Sequence, residues 1–150
     1  MLKVEERIMA IDYGEVRLGI AITDPLNMFA YPLETIPNNN LVISKLMDII
    51  KNYSVKYFII GLPIKESGEQ TKLMDKIQKF SVDLKDKSGI EFEFYDERYT
   101  SKMASQMINE SNLSKKKRRD KGLIDKTAAS IMLQDYLKKI ENQSFKRNND

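Results

Sequence analysis

The stretch IDYGEVRLGIAITD, from Ile11 to Asp24, predicts how the fold begins. The run RIMAID, Arg7–Asp12, has the alternation typical of a β-strand. The next three residues predict a turn, and VRLGIAIT, Val16–Thr23, predicts a second strand antiparallel to the first. Asp12 therefore closes an apolar strand. It is either a turn-capping aspartate or a catalytic carboxylate displayed on the central strand of an enzyme, and the rest of the chain has to decide between the two.

The elements that follow predict an α/β fold. Pro32 lacks the N–H group that a strand ladder uses, so we expect the third strand, MFAYPLETI, to lie at an edge of the sheet. The apolar run Tyr57–Gly61 is expected of a strand buried on both faces. These patterns predict a mixed five-stranded sheet, with an antiparallel three-strand meander plus parallel strands, flanked by helices. The other predicted elements are helices near Val42–Tyr53, Leu73–Leu84, 101–109 and Leu123–Ile140, and a last strand at Ile90–Arg98. The asparagines at 38–40 are candidates to cap the first of these helices, and Gly89 is expected to end the second.

The composition narrows the chemistry that the protein can perform. The chain of 150 residues has no cysteine and no histidine, which excludes disulfides, thiol catalysis, Ser-His-Asp triads and imidazole-ligated metals. A metal site would have to be rich in oxygen, which favours Mg²⁺ or Mn²⁺. No apolar run reaches the ~18 residues of a membrane span, and the start MLKVEERIMA is unlike a secretory signal. We expect a cytoplasmic protein that does not bind a membrane and has a single domain, residues 1–150.

Acidic residues stand at the ends of several apolar elements. Asp12 closes the first strand, Asp96 and Glu97 close the last, and Asp125 opens the final helix. If the first strand and the last but one are neighbours, these carboxylates can converge at one edge of the sheet. Clustered carboxylates repel one another, and a divalent cation is the natural counter-charge where histidine is absent. The spacing alone does not establish such a site, because any strand can end in an acid.

Positive charge is concentrated in one segment. Residues 115–121 carry a net charge of +5 within a chain of net charge +3. The surrounding stretch 110–122 lacks apolar periodicity and is predicted to be a mobile basic loop, while the polar tail 141–150 is predicted to fray. Such a run is either a solvated surface or a nucleic-acid contact, and its place just before Asp125 favours the contact. Its candidate nucleic-acid-binding residues are Lys115, Lys116, Lys117, Arg118, Arg119 and Lys121.

Four motifs follow one another along the chain: DYGEVRLGIA from Asp12, GLP from Gly61, DERYTS from Asp96 and DKTAASIMLQDYL from Asp125. Taken in order, they resemble the YqgF family, also described as Holliday-junction-resolvase-like nucleases of the ribonuclease-H-like superfamily. Any one of them would be weak evidence, but four in order over nearly the whole chain are specific. The resemblance implies a ribonuclease-H-like fold and phosphodiester cleavage that depends on Mg²⁺ or Mn²⁺. It also implies that Asp12, Glu97 and Asp125 are the catalytic metal ligands.

The resemblance further implies a nucleic-acid substrate. The family is linked to processing of the 5′ end of pre-16S ribosomal RNA and earlier to resolution of four-way DNA junctions, so pre-rRNA is favoured and branched DNA is the alternative. Resolution of a two-fold symmetric junction needs two active sites, so the protein is expected to be a monomer or a homodimer. A third interpretation is a non-catalytic RNA-binding ribosome-assembly factor, against which the intact acid triad argues. Arg17 and Arg98 are either ordinary exposed residues or partners of a site carboxylate or a substrate phosphate.

Overall fold

A computed structural model describes residues 5–96 and 121–149, and within these ranges the side chains of residues 5–96 and 126–143. The described residues form five strands and three helices. The strands are β1 (Arg7–Tyr13), β2 (Arg17–Thr23), β3 (Ala30–Pro37), β4 (Val55–Leu62) and β5 (Glu91–Asp96). The helices are α1 (Val42–Asn52), α2 (Lys72–Ser88) and α3 (Lys121–Asn149). The helix predicted at 101–109 and the basic loop up to residue 120 lie outside the described residues.

The five strands form one sheet in the order β3-β2-β1-β4-β5. Strands β1, β2 and β3 pair antiparallel as a meander, while β4 pairs parallel to β1 and β5 pairs parallel to β4. The mixed five-stranded sheet predicted from the sequence is therefore confirmed, and so is the condition that the first strand neighbours the last but one. Strand β3 lies at an edge as predicted, and the register with β2 shifts just before the pair of Ala21 and Pro32.

Each face of the sheet is covered by different helices, because alternate residues of a strand point to opposite faces. On one face Met9 and Ile11 of β1 belong to a large cluster that also takes in the apolar sides of α1 and α2. On the other face Ile8 and Ala10 pack with buried residues of α3. The small side chains Ala128 and Ala129 let α3 lie close to the sheet, mainly over β1, β2 and β3.

The ends of α2 agree with local signals in the sequence, whereas the start of α1 does not. Helix α2 begins where the Thr71 hydroxyl accepts a hydrogen bond from the Met74 N–H, and it ends at Gly89 in the left-handed conformation, as predicted. The asparagines at 38–40, predicted to cap α1, do not do so. The N-cap is Leu41, which makes no side-chain capping bond. The side chain of Asn39 instead accepts a hydrogen bond from Leu41 N–H within the loop.

Helix α3 is longer than the sequence pattern indicates. It begins at Lys121, inside the segment predicted as a loop, and continues to Asn149, although the helix was predicted only to Ile140 and residues 141–150 were predicted to fray. Residues 138–143 are exposed, so this part of the helix needs no apolar stripe, and each added residue contributes another backbone hydrogen bond. Among the described residues, none of the helices combines the length and hydropathy that a membrane crossing requires.

Candidate active site

The candidate site lies at the edge of the sheet where the parallel strands end. Because β1, β4 and β5 run in the same direction, their carboxyl ends meet at one edge. Ile11 pairs with Ile60, and Leu62 pairs with Asp96, so the three strands end within a few residues of the same level. Asp12 is the last residue but one of β1 and stands at this edge.

Asp12 shares the face of the sheet that α3 covers. It follows Ile8 and Ala10 in the alternation of β1, and both of those side chains are buried against α3. Asp12 itself is half-buried, as expected where the covering helix gives way to solvent. The apolar residues of β1 therefore hold the strand in the core, while Asp12, the acid of this strand, is partly exposed to solvent.

Glycines flank Asp12 in the sheet. Gly19 of β2 is its direct partner in the antiparallel pair. On the other side, Gly61 of β4 follows Ile60, the partner of Ile11, just as Asp12 follows Ile11. Neither of these strand neighbours has a side chain beside the carboxylate, and both glycines are buried.

Helix α3 carries Asp125 near its amino end and covers the face of the sheet to which Asp12 belongs. Near the middle of the helix the Gln134 side chain accepts a hydrogen bond from the Ala30 N–H, and the Tyr136 ring stacks on Tyr57 close to the start of β4. Both contacts lie near the edge opposite Asp12. Asp125 precedes Gln134 by nine residues, about 13 Å of helix. The structure describes the backbone of α3 at Asp125 but not its side chain.

The third predicted acid and most of the predicted cations lie outside the described residues. Glu97 directly follows Asp96, the last residue of β5, and is not among the described residues. Among the side chains that are described, no three acidic groups come together as a metal site. Lys121 is the first residue of α3, but its side chain is not described. The remaining candidate nucleic-acid-binding residues lie outside the described ranges: Arg98, Lys115, Lys116, Lys117, Arg118 and Arg119.

Arg17 is the one predicted nucleic-acid contact whose side chain is described. It is the first residue of β2, is half-buried, and alternates with Gly19 and Ala21, the latter of which packs against α3. Arg17 therefore belongs to the same face of the sheet as Asp12. This position is compatible with contact to a site carboxylate or to a bound phosphate, the two functional interpretations predicted for it.

The turn after Asp12 is held by contacts with α2 on one side and with Asn38, which follows β3, on the other. The Tyr13 ring packs against Phe80 of α2, with ring centroids 5.1 Å apart. The Glu15 carboxylate accepts a hydrogen bond of 2.9 Å from Lys76 Nζ, which raises the pKa of that lysine. On the other side, Asn38 Nδ2 donates a 2.8 Å hydrogen bond to the Gly14 carbonyl. The sequence analysis did not identify these contacts.

Gly14 is required by the close path of this turn. A Cβ atom on Gly14 would overlap the carbonyl oxygen of Arg17. The turn is therefore tight enough that only a residue without a side chain fits, in agreement with the turn predicted for this position. Because Gly14 is two residues beyond Asp12, the same geometry fixes where the first strand stops.

A polar cluster on the same face of the sheet joins α3 to β4 and β5. Tyr57 and Tyr136 are stacked near Glu93, and burial together with Glu93 raises the pKa of both phenols. The hydroxyl of Tyr95 donates a short hydrogen bond to Asp135, which also pairs with Lys139. These contacts attach the middle of α3 to the sheet.

The available ligands suit a hard divalent cation. The whole sequence lacks histidine and cysteine, so the acids at this edge can offer only oxygen atoms. Carboxylate oxygens are the ligands that Mg²⁺ and Mn²⁺ prefer. The chemistry of the predicted acids therefore fits such an ion, and Asp12 is the predicted acid whose side chain the structure describes at this edge.

Comparison with known proteins gives consistent relatives. The family model described as "RuvX: Holliday junction resolvase" matches residues 6–139. A protein of Porphyromonas gingivalis is 42% identical over 132 residues, covering 87% of this chain and 95% of the relative. A protein of Flavobacterium psychrophilum is 44% identical over 132 residues, covering 87% of this chain and 96% of the relative. Both relatives carry the provisional name of pre-16S rRNA nuclease.

Solved structures with a similar fold include RuvC of Thermus thermophilus. The structure of RuvC in complex with a Holliday junction substrate has a TM-score of 0.54 and 12% identity, covering 88% of this chain and 93% of that chain. A second RuvC structure has a TM-score of 0.56 and 10% identity, covering 91% of this chain and 96% of that one. At such low identity the likeness concerns the fold alone, and it confirms the ribonuclease-H-like architecture predicted from the sequence.

Proposed function

The chain belongs to the RuvX family, and from this membership we propose that it is a divalent-metal-dependent nuclease that processes the 5′ end of pre-16S rRNA. The relatives named as pre-16S rRNA nucleases support the choice of RNA. We further propose that the enzyme acts in the cytoplasm, as a single domain. A nucleic-acid substrate suits the concentration of positive charge in residues 115–121.

The observation that carries this proposal is the position of Asp12. Its carboxylate stands at the carboxyl edge of the sheet with Gly19 as its strand partner, and α3, which carries Asp125 near its amino end, covers the same face of the sheet. In the proposed site Asp12, Glu97 and Asp125 hold one or two Mg²⁺ or Mn²⁺ ions. A bound ion of this kind activates water and stabilises the charge that develops on a phosphodiester.

The residues of the chain itself bind and orient the substrate in this proposal. The three carboxylates fix the position of the cleavage site on the sheet edge, and the room beside Gly19 admits the phosphate. Arg17 lies on the same face of the sheet and is proposed to pair with a substrate phosphate. Arg98 and the basic residues Lys115, Lys116, Lys117, Arg118, Arg119 and Lys121 are proposed to contact the nucleic-acid backbone.

The first test compares wild type with Asp12→Asn on pre-16S rRNA fragments in the presence of Mn²⁺. The amide keeps the size of the side chain but removes its charge, so cleavage should fall by at least about 100-fold while the fold is retained. Asp48→Asn is the matched control, because Asp48 is an exposed carboxylate on α1. If Asp12→Asn cleaves at the wild-type rate, the assignment of the site is wrong.

The description of the family favours a second candidate function, resolution of four-way DNA junctions. The same variants distinguish the two substrates when a synthetic four-way junction replaces the RNA. Cleavage of the junction at symmetric positions, by a protein that is a homodimer and leaves pre-rRNA intact, would favour this alternative. Cleavage of the RNA by a monomer would favour the first candidate.

A further inference from the structure

We infer that Asn38 is a positioning residue for Asp12, acting through the turn that joins β1 to β2. The inference rests on the proposed function, because it assumes that Asp12 serves the cleavage reaction. Asn38 follows β3 and is distant from Asp12 in sequence, yet it is hydrogen-bonded to the turn that begins two residues after Asp12.

Asn38 fastens this turn at two points. Its side-chain Nδ2 donates to the Gly14 carbonyl at 2.8 Å, and its backbone N–H donates to the Val16 carbonyl at 2.9 Å. The two carbonyls lie on either side of Glu15, so one residue holds both ends of the turn. Pro37, the residue before Asn38, pairs with Arg17, so Asn38 is itself attached to the end of the β2–β3 pair.

The other contacts described at this turn do not substitute for the side-chain hydrogen bond from Asn38 to Gly14. The Glu15–Lys76 ion pair lies on the surface, with both side chains more than half exposed, and such pairs contribute little. The contact of Tyr13 with Phe80 holds the strand end from the opposite face of the sheet. The hydrogen bond from Asn38 to Gly14 differs from both, because it ties the turn backbone to the residue that follows β3 through a half-buried side chain.

Movement of the turn would be transmitted to Asp12 because β1 ends within it. Asp12 is the last residue but one of β1, and Gly14 follows the final residue, Tyr13. When the Gly14 carbonyl is released, the last pairs of β1 with β2 can open, and these include Asp12 with Gly19. A displacement of about 1 Å at a reacting group can lower a rate by ~100-fold, so even partial opening should be measurable.

The neighbouring asparagine supplies a matched control. Asn39 is exposed, and its side chain accepts a hydrogen bond from Leu41 N–H on the way into α1. Asn38 is not the cap of α1, because the N-cap is Leu41 and the Asn38 side chain is bonded to Gly14. Asn38→Ala and Asn39→Ala therefore remove similar groups from adjacent positions, and only the first loosens the turn.

The test measures the full-length protein with Asn38→Ala, Asn38→Asp and Asn39→Ala. Asn38→Asp keeps the size of the side chain but places an acceptor opposite the Gly14 carbonyl. We expect both Asn38 variants to increase hydrogen exchange in the segment 13–17 and to weaken Mn²⁺ binding about 10-fold in the absence of RNA. They should lower kcat on a pre-16S rRNA fragment by about 10-fold, with KM within about 2-fold of wild type. Asn39→Ala should match wild type in each measurement.

Thermal unfolding separates positioning from a general loss of structure, because Asn38→Ala should unfold cooperatively within a few degrees of Asn39→Ala. Wild-type Mn²⁺ binding and kcat in folded Asn38→Ala would overturn the inference. Asp12→Asn is measured in the same series so that the two failures can be told apart. If Asp12→Asn cleaves normally the proposed function fails, whereas an inactive Asp12→Asn beside a fully active Asn38→Ala refutes only the role of Asn38.

Discussion

Asp12 and Gly19 stand directly opposite each other in the β1–β2 pair. The pairing places the carboxylate beside a residue without a side chain, at the edge where the parallel strands end. A strand glycine usually weakens a sheet, because it gains no packing and loses more chain entropy on folding than other residues. We therefore propose that Gly19 is required because a side chain at this position would crowd the carboxylate of Asp12.

Gly19→Ala tests this explanation by adding a methyl group next to Asp12. Because alanine is more favourable than glycine inside a strand by roughly 0.5–1 kcal/mol, the free energy of unfolding should stay constant or rise. Cleavage should nevertheless fall, because the methyl group occupies space proposed for the substrate phosphate. Urea denaturation and cleavage of a pre-rRNA fragment are the two measurements. Equal losses of stability and activity would instead indicate a purely structural glycine.

Gly14→Ala should act mainly on stability. A Cβ at this position would overlap the carbonyl oxygen of Arg17, so the turn has to open before the side chain can fit. We expect a loss of about 2 kcal/mol or more in the free energy of unfolding, measured by urea denaturation. Gly68→Ala is the comparison. Gly68 has φ of +74° and no atom within 4 Å of a built Cβ, so only the ~1 kcal/mol of left-handed strain should appear there. Equal losses in the two variants would contradict the steric argument.

Local signals in the sequence predicted the β1–β2 hairpin, the turn at Gly14 and the end of α2 at Gly89. Each depends on residues close together in the chain, so a short stretch determines the outcome. The adjacency of β1 and β4 depends on the order of the strands in the sheet, which no short stretch of sequence determines. It could therefore be stated from the sequence only as a condition. The structure satisfies that condition, and it is what brings the end of β1 to the same edge as the end of β5.

The contacts of Asn38 could not be predicted from local sequence. A run of three asparagines before an amphipathic helix is typical of a capping segment, yet Asn38 bonds to a turn 24 residues earlier. Its partner is determined by the register of β3 on β2, which includes a shift between Ile20 and Ala21. The length of α3 was missed for another reason. Apolar periodicity reports only the buried part of a helix, and the exposed extension after Leu137 does not carry that pattern.

Asp24 should make stability depend on pH. Slight burial acts to raise its pKa, but hydrogen bonds from the N–H groups of Phe29, Met28 and Leu26 outweigh this and hold the pKa below the ordinary 3.8. A carboxylate with a depressed folded pKa stabilises the protein above its unfolded pKa, and this stabilisation is lost as the pH falls through the folded value. Asp24→Asn should therefore cost about 1 kcal/mol near pH 7, and the difference from wild type should shrink below about pH 4.

Urea denaturation of the two proteins at several pH values measures this difference. The modest size is expected because the turn is open to water, which weakens each bond to the carboxylate. Asp48→Asn serves as the control, since Asp48 lies exposed on α1. A difference between wild type and Asp24→Asn that stays constant from pH 7 to pH 3 would show that the charge of Asp24 is not responsible.

The basic segment should control the salt dependence of RNA binding. Replacement of Lys115, Lys116 and Lys117 by alanine removes three of the six cations in residues 115–121. For single-stranded nucleic acid the slope of log K against log salt is about −0.7 per phosphate neutralised, so the slope should become shallower by up to ~2. The affinity should fall most at low salt, as measured by fluorescence anisotropy with an uncleavable RNA.

The control for this prediction has the same number of charges removed elsewhere. Lys51, Lys56 and Lys87 lie at the end of α1, the start of β4 and the end of α2, remote from the edge that carries Asp12. Their joint replacement by alanine lowers the net charge equally, so any effect of overall charge should appear in both variants. Only a direct contact predicts a larger change of slope for the 115–117 variant. Equal slopes would show that the segment acts through the general field of the protein and makes no phosphate contacts.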